Sequence, residues 1–398
     1  MSNTALLSDR RRAALARAEA MRRHPTRRGE VKVNTPPPTA FYLMAVVIAM
    51  FTMLGLVMVL SATSISQFHQ GNSPWRLFNR QLVWASLGVV GLWFAMRMNT
   101  RTWRRLVYPA FVISCGTMVL PFVPGLGDRV NDASSWVSVG PINFQPSEFL
   151  KLAMLVTIAH LLTQRRDQMT SPTRTLVPAL AIAALASGLC LVQGDLGSAI
   201  VMAAIAFAVV FIAGAPLTLV TLSGAAAGGA AWMFVMSSPR RQARFTAFMD
   251  IAAHKDHLSY QTYQAMIAMA QGGLTGSGVG RGSNKLGEFL PLAHSDFIFA
   301  VIAEELGMIG VVAVLGGFLL LAYAGVQVAM ASADPFHSLL AGGVVAWLVV
   351  QTIINVGGVT GLMPVTGLTL PFFSAGGSSL FVTLTACGLL LNVARNVR

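Results

Sequence analysis

Apolar residues in this chain come in ten near-continuous runs, near 40–62, 82–96, 106–123, 148–163, 175–192, 198–213, 217–236, 302–329, 336–357 and 372–393. At about 1.5 Å of rise per residue each can cover roughly 30 Å of hydrocarbon, the shorter ones with help from flanking residues. In lipid only helices or closed barrels satisfy every backbone polar group, and these runs lack the two-residue alternation of barrel strands. The pattern therefore predicts an all-α polytopic membrane protein of about ten transmembrane helices. Polar residues gather in two places, a leading tail (1–39) and the segment 237–301 between the seventh and eighth runs, and 40–398 reads as one membrane domain.

Ten spans put both termini on one side, and the basic residues choose it. With the N-terminus cytoplasmic, eighteen Lys and Arg fall on inner segments and nine on outer ones, six of those nine in the single long loop 237–301. Long loops carry little weight in the positive-inside rule, so the expectation is N-in and C-in, with 237–301 extracytoplasmic. Nine basic side chains of the tail, followed by Pro36-Pro37-Pro38, make a cytoplasmic extension that either lies on anionic lipid or is simply solvated. It is too long and polar for a signal peptide, so the first span is expected to stay as an anchor. The net charge of +13 taken alone suggests nucleic acid, but this placement removes that reading. Cys115, Cys190 and Cys387 each lie in an apolar run without metal-ligand spacing and read as small buried hydrophobes.

Only 11% of residues are charged, yet RGSNKLGEFLPLAHSDFIFAVIAEELG (281–307) holds Arg281, Lys285, Glu288, His294, Asp296, Glu304 and Glu305. An ionised side chain at bilayer depth costs about 2.5–3.5 kcal/mol even on lenient scales, so this cluster must face water, a partner or a substrate. Arg281 and Glu288 read equally as solvated loop charges. Asp296 differs, because FIFAVIA follows it and draws it to the membrane surface, where desolvation makes a carboxylate a better proton acceptor.

Other groups carry two readings each. Arg240, Arg241 and Arg244 suit an anionic pyrophosphate or, equally, membrane lipid head groups. Gln145, Glu148 and Lys151 lie in QPSEFLK, whose i,i+3 spacing puts Glu148 and Lys151 on one helix face, as a substrate contact or an ion pair that eases insertion. Asp195 is a helix N-cap or a site group. Glu304 reads as structural, and Glu305 stays open between that and binding a cation carried by a diphosphate. The glycines of 272–282 suit an interfacial loop, with a pyrophosphate contact through backbone N–H groups as the functional variant. His254, Asp256 and His257 lack a third strong ligand, so no metal site is expected there. A short helix lying on the membrane is expected around Ala265, Met266, Met269 and Ala270.

SAT (61–63), RQL (80–82), Trp136 with NFQPSEFLKL (143–152), GDLGSA (194–199), GGLTGSGVG (272–280), LPLAHSDFIFAVIAEELG (290–307) and GLMPVTGLTLPFFSAGGSSL (361–380) together resemble the SEDS family of shape, elongation, division and sporulation proteins. The likeness runs in order through all ten runs. The chain departs from the family pattern at Ser134-Ser135, Gly194, Leu292 and Ala375.

The resemblance implies a peptidoglycan glycosyltransferase of the bacterial cytoplasmic membrane that polymerises lipid II on the outer face with a class B penicillin-binding transpeptidase. It places the family's catalytic aspartate on Asp296, a general base whose single displacement inverts the donor's anomeric centre. Lys285, Arg240, Arg244, Gln145, Glu148, Lys151 and Ser378 are the candidate substrate-binding residues. A divalent cation, magnesium or manganese, would suit the leaving pyrophosphate, although no dedicated cage is visible. The basic tail favours the division branch, with other divisome membrane proteins as partners and the septum as location. The alternatives are an elongation polymerase, a lipid II flippase or transporter lined by Lys151, Glu148 and Asp195, or a recruiting scaffold.

Overall fold

The computed structural model describes residues 38–397 except 70, 131, 132, 141, 169–171 and 284–289. The basic tail before residue 38, and Lys285 with Glu288, thus lie outside the described residues. Every one of the ten apolar runs falls on a helix: α1 (Thr39–His69), α2 (Arg76–Arg97), α3 (Thr100–Thr117), α4 (Pro146–Gln164), α5 (Leu176–Val192), α6 (Leu196–Ile212), α7 (Leu217–Met236), α10 (Ile298–Ala331), α11 (Pro335–Val359) and α12 (Gly377–Asn396). Two further helices, α8 (Pro239–Met249) and α9 (Tyr260–Gly272), lie within the expected loop. Among the described residues seven helices are long and apolar enough to cross a membrane, and α5 and α6 are apolar but shorter.

Local chemistry sets the helix ends. Asn99 and Asp334 cap α3 and α11 by accepting the N–H of Arg101 and Phe336, and Pro335 and Pro146 occupy first-turn positions where no N–H is needed. Helices α4, α11 and α12 form the middle of the bundle, whereas α7 buries no residue within the chain. Glycine permits the tight pairing of α2 with α12. A Cβ at Gly388 would collide with the Leu92 carbonyl, and one at Gly88 would come within 2.6 Å of Leu384.

Residues 127–144 add an element the apolar pattern does not announce. β1 (Gly127–Val130), β2 (Ala133–Val139) and β3 (Ile142–Phe144) form an antiparallel sheet in that order, with Gly127 opposite Val137 and Val137 opposite Phe144. The Ser134 N–H donates to the Gln193 carbonyl at 3.0 Å, and the Gln193 amide donates to the Met118 carbonyl at 2.7 Å. The sheet is therefore tied to the ends of α3 and α5.

Helix α9 is not a free surface helix. It packs against the first part of α10, where Gly272 meets the Ala303 carbonyl so closely that a Cβ would collide with it. Helix α10 breaks at Gly307, which takes φ 67° and ψ −167°, so residues 298–306 form a short separate segment. The chain after α9 runs alongside that break, donating from Ser277 and Gly278 to the carbonyls of Glu304 and Glu305.

Candidate active site

The starts of α4, α6, α10 and α12 meet at one end of the bundle, and they bring Gln145, Asp195, Asp296 and Ser378 together. Gln145 donates its amide to Asp195 Oδ2 at 3.0 Å and its backbone N–H to Ser378 Oγ at 3.1 Å. Asp195 also accepts the Ser198 N–H at 2.8 Å, so the carboxylate caps α6 and faces the site at once. Gly197 packs so near Thr366 that a side chain would fall 2.8 Å from its carbonyl, and Gly367 lies 3.7 Å, measured from where a Cβ would stand, from Asp296 Oδ2. Asp296 is half-buried beside exposed Gly367.

The backbone on both sides of Asp296 is pinned. Asn355 donates to the Asp296 carbonyl at 2.8 Å and to the Leu368 carbonyl at 2.7 Å. Ser374 donates its hydroxyl to the Ser295 carbonyl at 2.6 Å and accepts the Leu370 N–H at 2.8 Å. The Ala375 N–H reaches the His294 carbonyl at 2.8 Å, and Gln81 holds the Ser374 carbonyl at 3.1 Å. Burial, and then the nearby Asp195 carboxylate, raise Asp296 from 3.8 to about 6, against a hydrogen bond from Ser295 that lowers it. The neighbouring His294 is pushed down by burial and by the charge of Arg80, so it stays neutral near pH 7.

One layer below, Lys151 Nζ sits 2.9 Å from Glu148 and 3.1 Å from Gln351 Oε1, with the Trp347 ring 5.3 Å away. Lys151 is 0% and Glu148 2% exposed. Both are therefore sealed off, and in this arrangement they support the floor of the site; neither touches what lies above it. Gln351 completes the link by donating to the Thr369 carbonyl at 2.9 Å. Ser378 is buried too, its hydroxyl engaged by Gln145.

The remaining sequence candidates lie elsewhere or are otherwise occupied. Arg240 and Arg244 are exposed on α8, outside the hydrogen-bonded group around Asp296, while Arg241 stacks 3.7 Å over the Phe234 ring. At the end of the glycine loop two N–H groups are taken by acids, Gly280 donating to Glu305 Oε2 at 3.2 Å and Ser283 to Glu304 Oε1 at 2.7 Å, which withdraws these two from a phosphate cradle. Among the described residues no three His, Cys, Asp or Glu side chains group closely enough to hold a metal. Gln351 and Asn355 escaped the sequence reading, and their signal was a polar side chain inside an apolar run; Gln81 and Ser374 lie in the motifs RQL and GLMPVTGLTLPFFSAGGSSL, with no role assigned to either.

Residues 41–398 match the FtsW/RodA/SpoVE family, described as cell cycle proteins. The chain is 40% identical over 360 residues to the probable peptidoglycan glycosyltransferase FtsW of Mycobacterium tuberculosis, covering 90% of this chain and 68% of that one. It is 36% identical over 356 residues to stage V sporulation protein E of Bacillus subtilis, covering 89% and 97%. Among solved structures it superposes on a chain of a peptidoglycan synthase complex, described as coordinating polymerization and crosslinking, with TM-score 0.72, 30% identity and coverage of 89% and 97%. The rod shape determining protein RodA of Thermus thermophilus gives TM-score 0.64 at 30% identity, with coverage of 89% and 96%. With the polytopic helical fold, the pinned HSD turn and these relatives in agreement, the chain belongs to the FtsW/RodA/SpoVE family of multi-pass membrane proteins.

Proposed function

We propose that this protein is a peptidoglycan glycosyltransferase that polymerises lipid II at the outer face of the bacterial cytoplasmic membrane during septal wall synthesis. The observation that carries the reading is Asp296: a carboxylate raised to about 6 beside the exposed Gly367, on a turn pinned by Asn355, Ser374 and Ala375. A base of that strength is ionised at neutral pH yet matched to proton transfer from a hydroxyl. Asp296 takes the proton of the acceptor sugar's 4-hydroxyl as that oxygen bonds to the donor's anomeric carbon. The bond from that carbon to pyrophosphate breaks, and undecaprenyl pyrophosphate leaves with the electron pair. One displacement inverts the centre.

The relatives named FtsW favour the division branch, and the synthase-complex neighbour supports a partner transpeptidase of class B. Ten spans with both termini cytoplasmic, and Arg240, Arg244 and Lys285 as pyrophosphate contacts, belong to the same proposal. The test is polymerisation of lipid II by the purified full-length protein with its transpeptidase. Asp296→Asn is expected to abolish glycan strands at normal expression; strands of near-normal yield from that variant overturn the reading.

A further inference from the structure

The break at Gly307 turns residues 298–306 into a short rigid strut, with Asp296 just before one end and Glu304 and Glu305 at the other. The base-bearing end is held by hydrogen bonds to backbone carbonyls. The other end is held by its acids. Ser61, on α1, donates its hydroxyl to Glu305, with Oε1 and Oε2 each at 2.7 Å, and Gly280 adds an N–H to Oε2. The carbonyls of Glu304 and Glu305 accept from Ser277 and Gly278. Beyond the break, Met308 and Ile309 donate back to the carbonyls of Gly273 and Leu274.

Two adjacent carboxylates, 2% and 1% exposed, are a costly way to finish a helix segment that leucines could finish by packing alone. What the acids add is direction. A hydrophobic contact tolerates sliding, whereas a carboxylate shared between a hydroxyl on another helix and a loop N–H fixes both rotation and height. Gly276 shows how little slack remains, since a Cβ there would run into the Glu305 carbonyl. A strut anchored in this way transmits any shift at Glu305 to Asp296, because residues 298–305 are all buried and have no room to absorb it.

We infer that Ser61 and Glu305 are positioning residues for the base: their hydrogen bond across helices α1 and α10 sets the height and rotation at which Asp296 meets the acceptor hydroxyl. The inference rests on the polymerase reading. Small errors in the placement of a reacting group cost rate and spare binding. Ser61→Ala removes the donor but leaves an excellent helix residue, and Ser61→Thr restores the hydroxyl at the same position.

The experiment measures lipid II polymerisation by full-length Ser61→Ala, Ser61→Thr and parent protein with the transpeptidase present, alongside thermal melting of each. Parent activity that disappears in Asp296→Asn first establishes the polymerase reading. Failure of that control sinks the polymerase itself, whereas failure of the positioning role shows only in the Ser61 variants of an active parent. Ser61→Ala is expected to lose about tenfold in kcat with KM for lipid II held within about twofold, at a melting temperature close to that of the parent. Ser61→Thr is expected to recover most of the loss. Parent-like kcat in Ser61→Ala, a loss that only tracks the unfolded fraction, or no recovery in Ser61→Thr overturns the inference. Should Ser61→Ala melt early, Ser61→Val, which has the shape of threonine without its hydroxyl, serves as the second variant, and a kcat equal to that of Ser61→Thr there is equally fatal.

Discussion

Each end of the helical bundle carries an ion pair with a 2.9 Å separation, and the two pairs do different things. Below the site, Lys151 and Glu148 are sealed, at 0% and 3% side-chain exposure, with the ammonium shared with Gln351. At the opposite end, Arg104 meets Asp334 with side chains 37% and 34% exposed. Water screens the second pair, so its worth is about 0–1 kcal/mol. The first is held by protein alone, so losing one partner strands a charge with nothing to solvate it. Distance alone does not say what an ion pair is for; the surroundings do.

The sharpest way to test that contrast begins above the sealed pair. Asp296→Asn is expected to cut the polymerisation rate at least about 100-fold, the lower range for loss of a general base, measured as glycan product per enzyme. The same variant separates chemistry from stability. Folded Asp296 keeps its proton up to about pH 6, whereas an unfolded aspartate releases it near 3.8, so the ionised carboxylate destabilises the fold at neutral pH. That cost fades as pH falls through this window. Asp296→Asn should therefore melt higher than the parent at pH 7.5 and show little advantage at pH 4.

Lys151→Met comes next. It leaves Glu148 buried without its partner, and about 3–5 kcal/mol of stability should go, read as early melting in detergent. The double variant Lys151→Met with Glu148→Gln should regain much of that. If Lys151→Met melts like the parent, the contrast between the two ends fails. Gly276→Ala, at φ 78°, should lose about 1–3 kcal/mol from backbone strain alone, besides its collision with Glu305.

Smaller still is Asp195→Asn, which keeps an acceptor for the Ser198 N–H but removes the charge facing Asp296. The acid limb of the polymerisation rate, near pH 6 in the parent, should move down by a fraction of a unit, because burial, the larger cause, persists. Arg104→Ala closes the series, with no expected change in polymerisation and at most about 1 kcal/mol in stability.

Much of this was legible in the sequence. The ten apolar runs, the capping aspartate at 195, the i,i+3 pairing of Glu148 with Lys151 and the prominence of Asp296 all arise from spacing and from the cost of charge near lipid. What spacing does not carry is partnership across the chain. Ser61 and Glu305 are 244 positions apart and Lys151 and Gln351 are 200 apart, and no periodicity joins them. Whether Lys151 faced a substrate or a neighbour depended on α11, where Gln351 and Trp347 occupy a face that reads from the sequence as merely apolar. The sheet at 127–144 escaped for another reason. Its strands are only three to seven residues long and lie between two spans, where a search tuned to twenty-residue runs passes over them.

The amide of Gln351 has one workable orientation. Its oxygen accepts from both the Lys151 ammonium and the Trp347 indole, at 3.1 and 2.7 Å, while its nitrogen donates to Thr369. Turned over, the NH2 would confront two donors and the oxygen a carbonyl, so the group works as a polarity key between α4 and the segment ahead of α12. Glutamate is the same shape but has no donor when ionised. A chain carrying Gln351→Glu would keep its grip on the lysine and lose its hold on the wall of the site, a change of one atom.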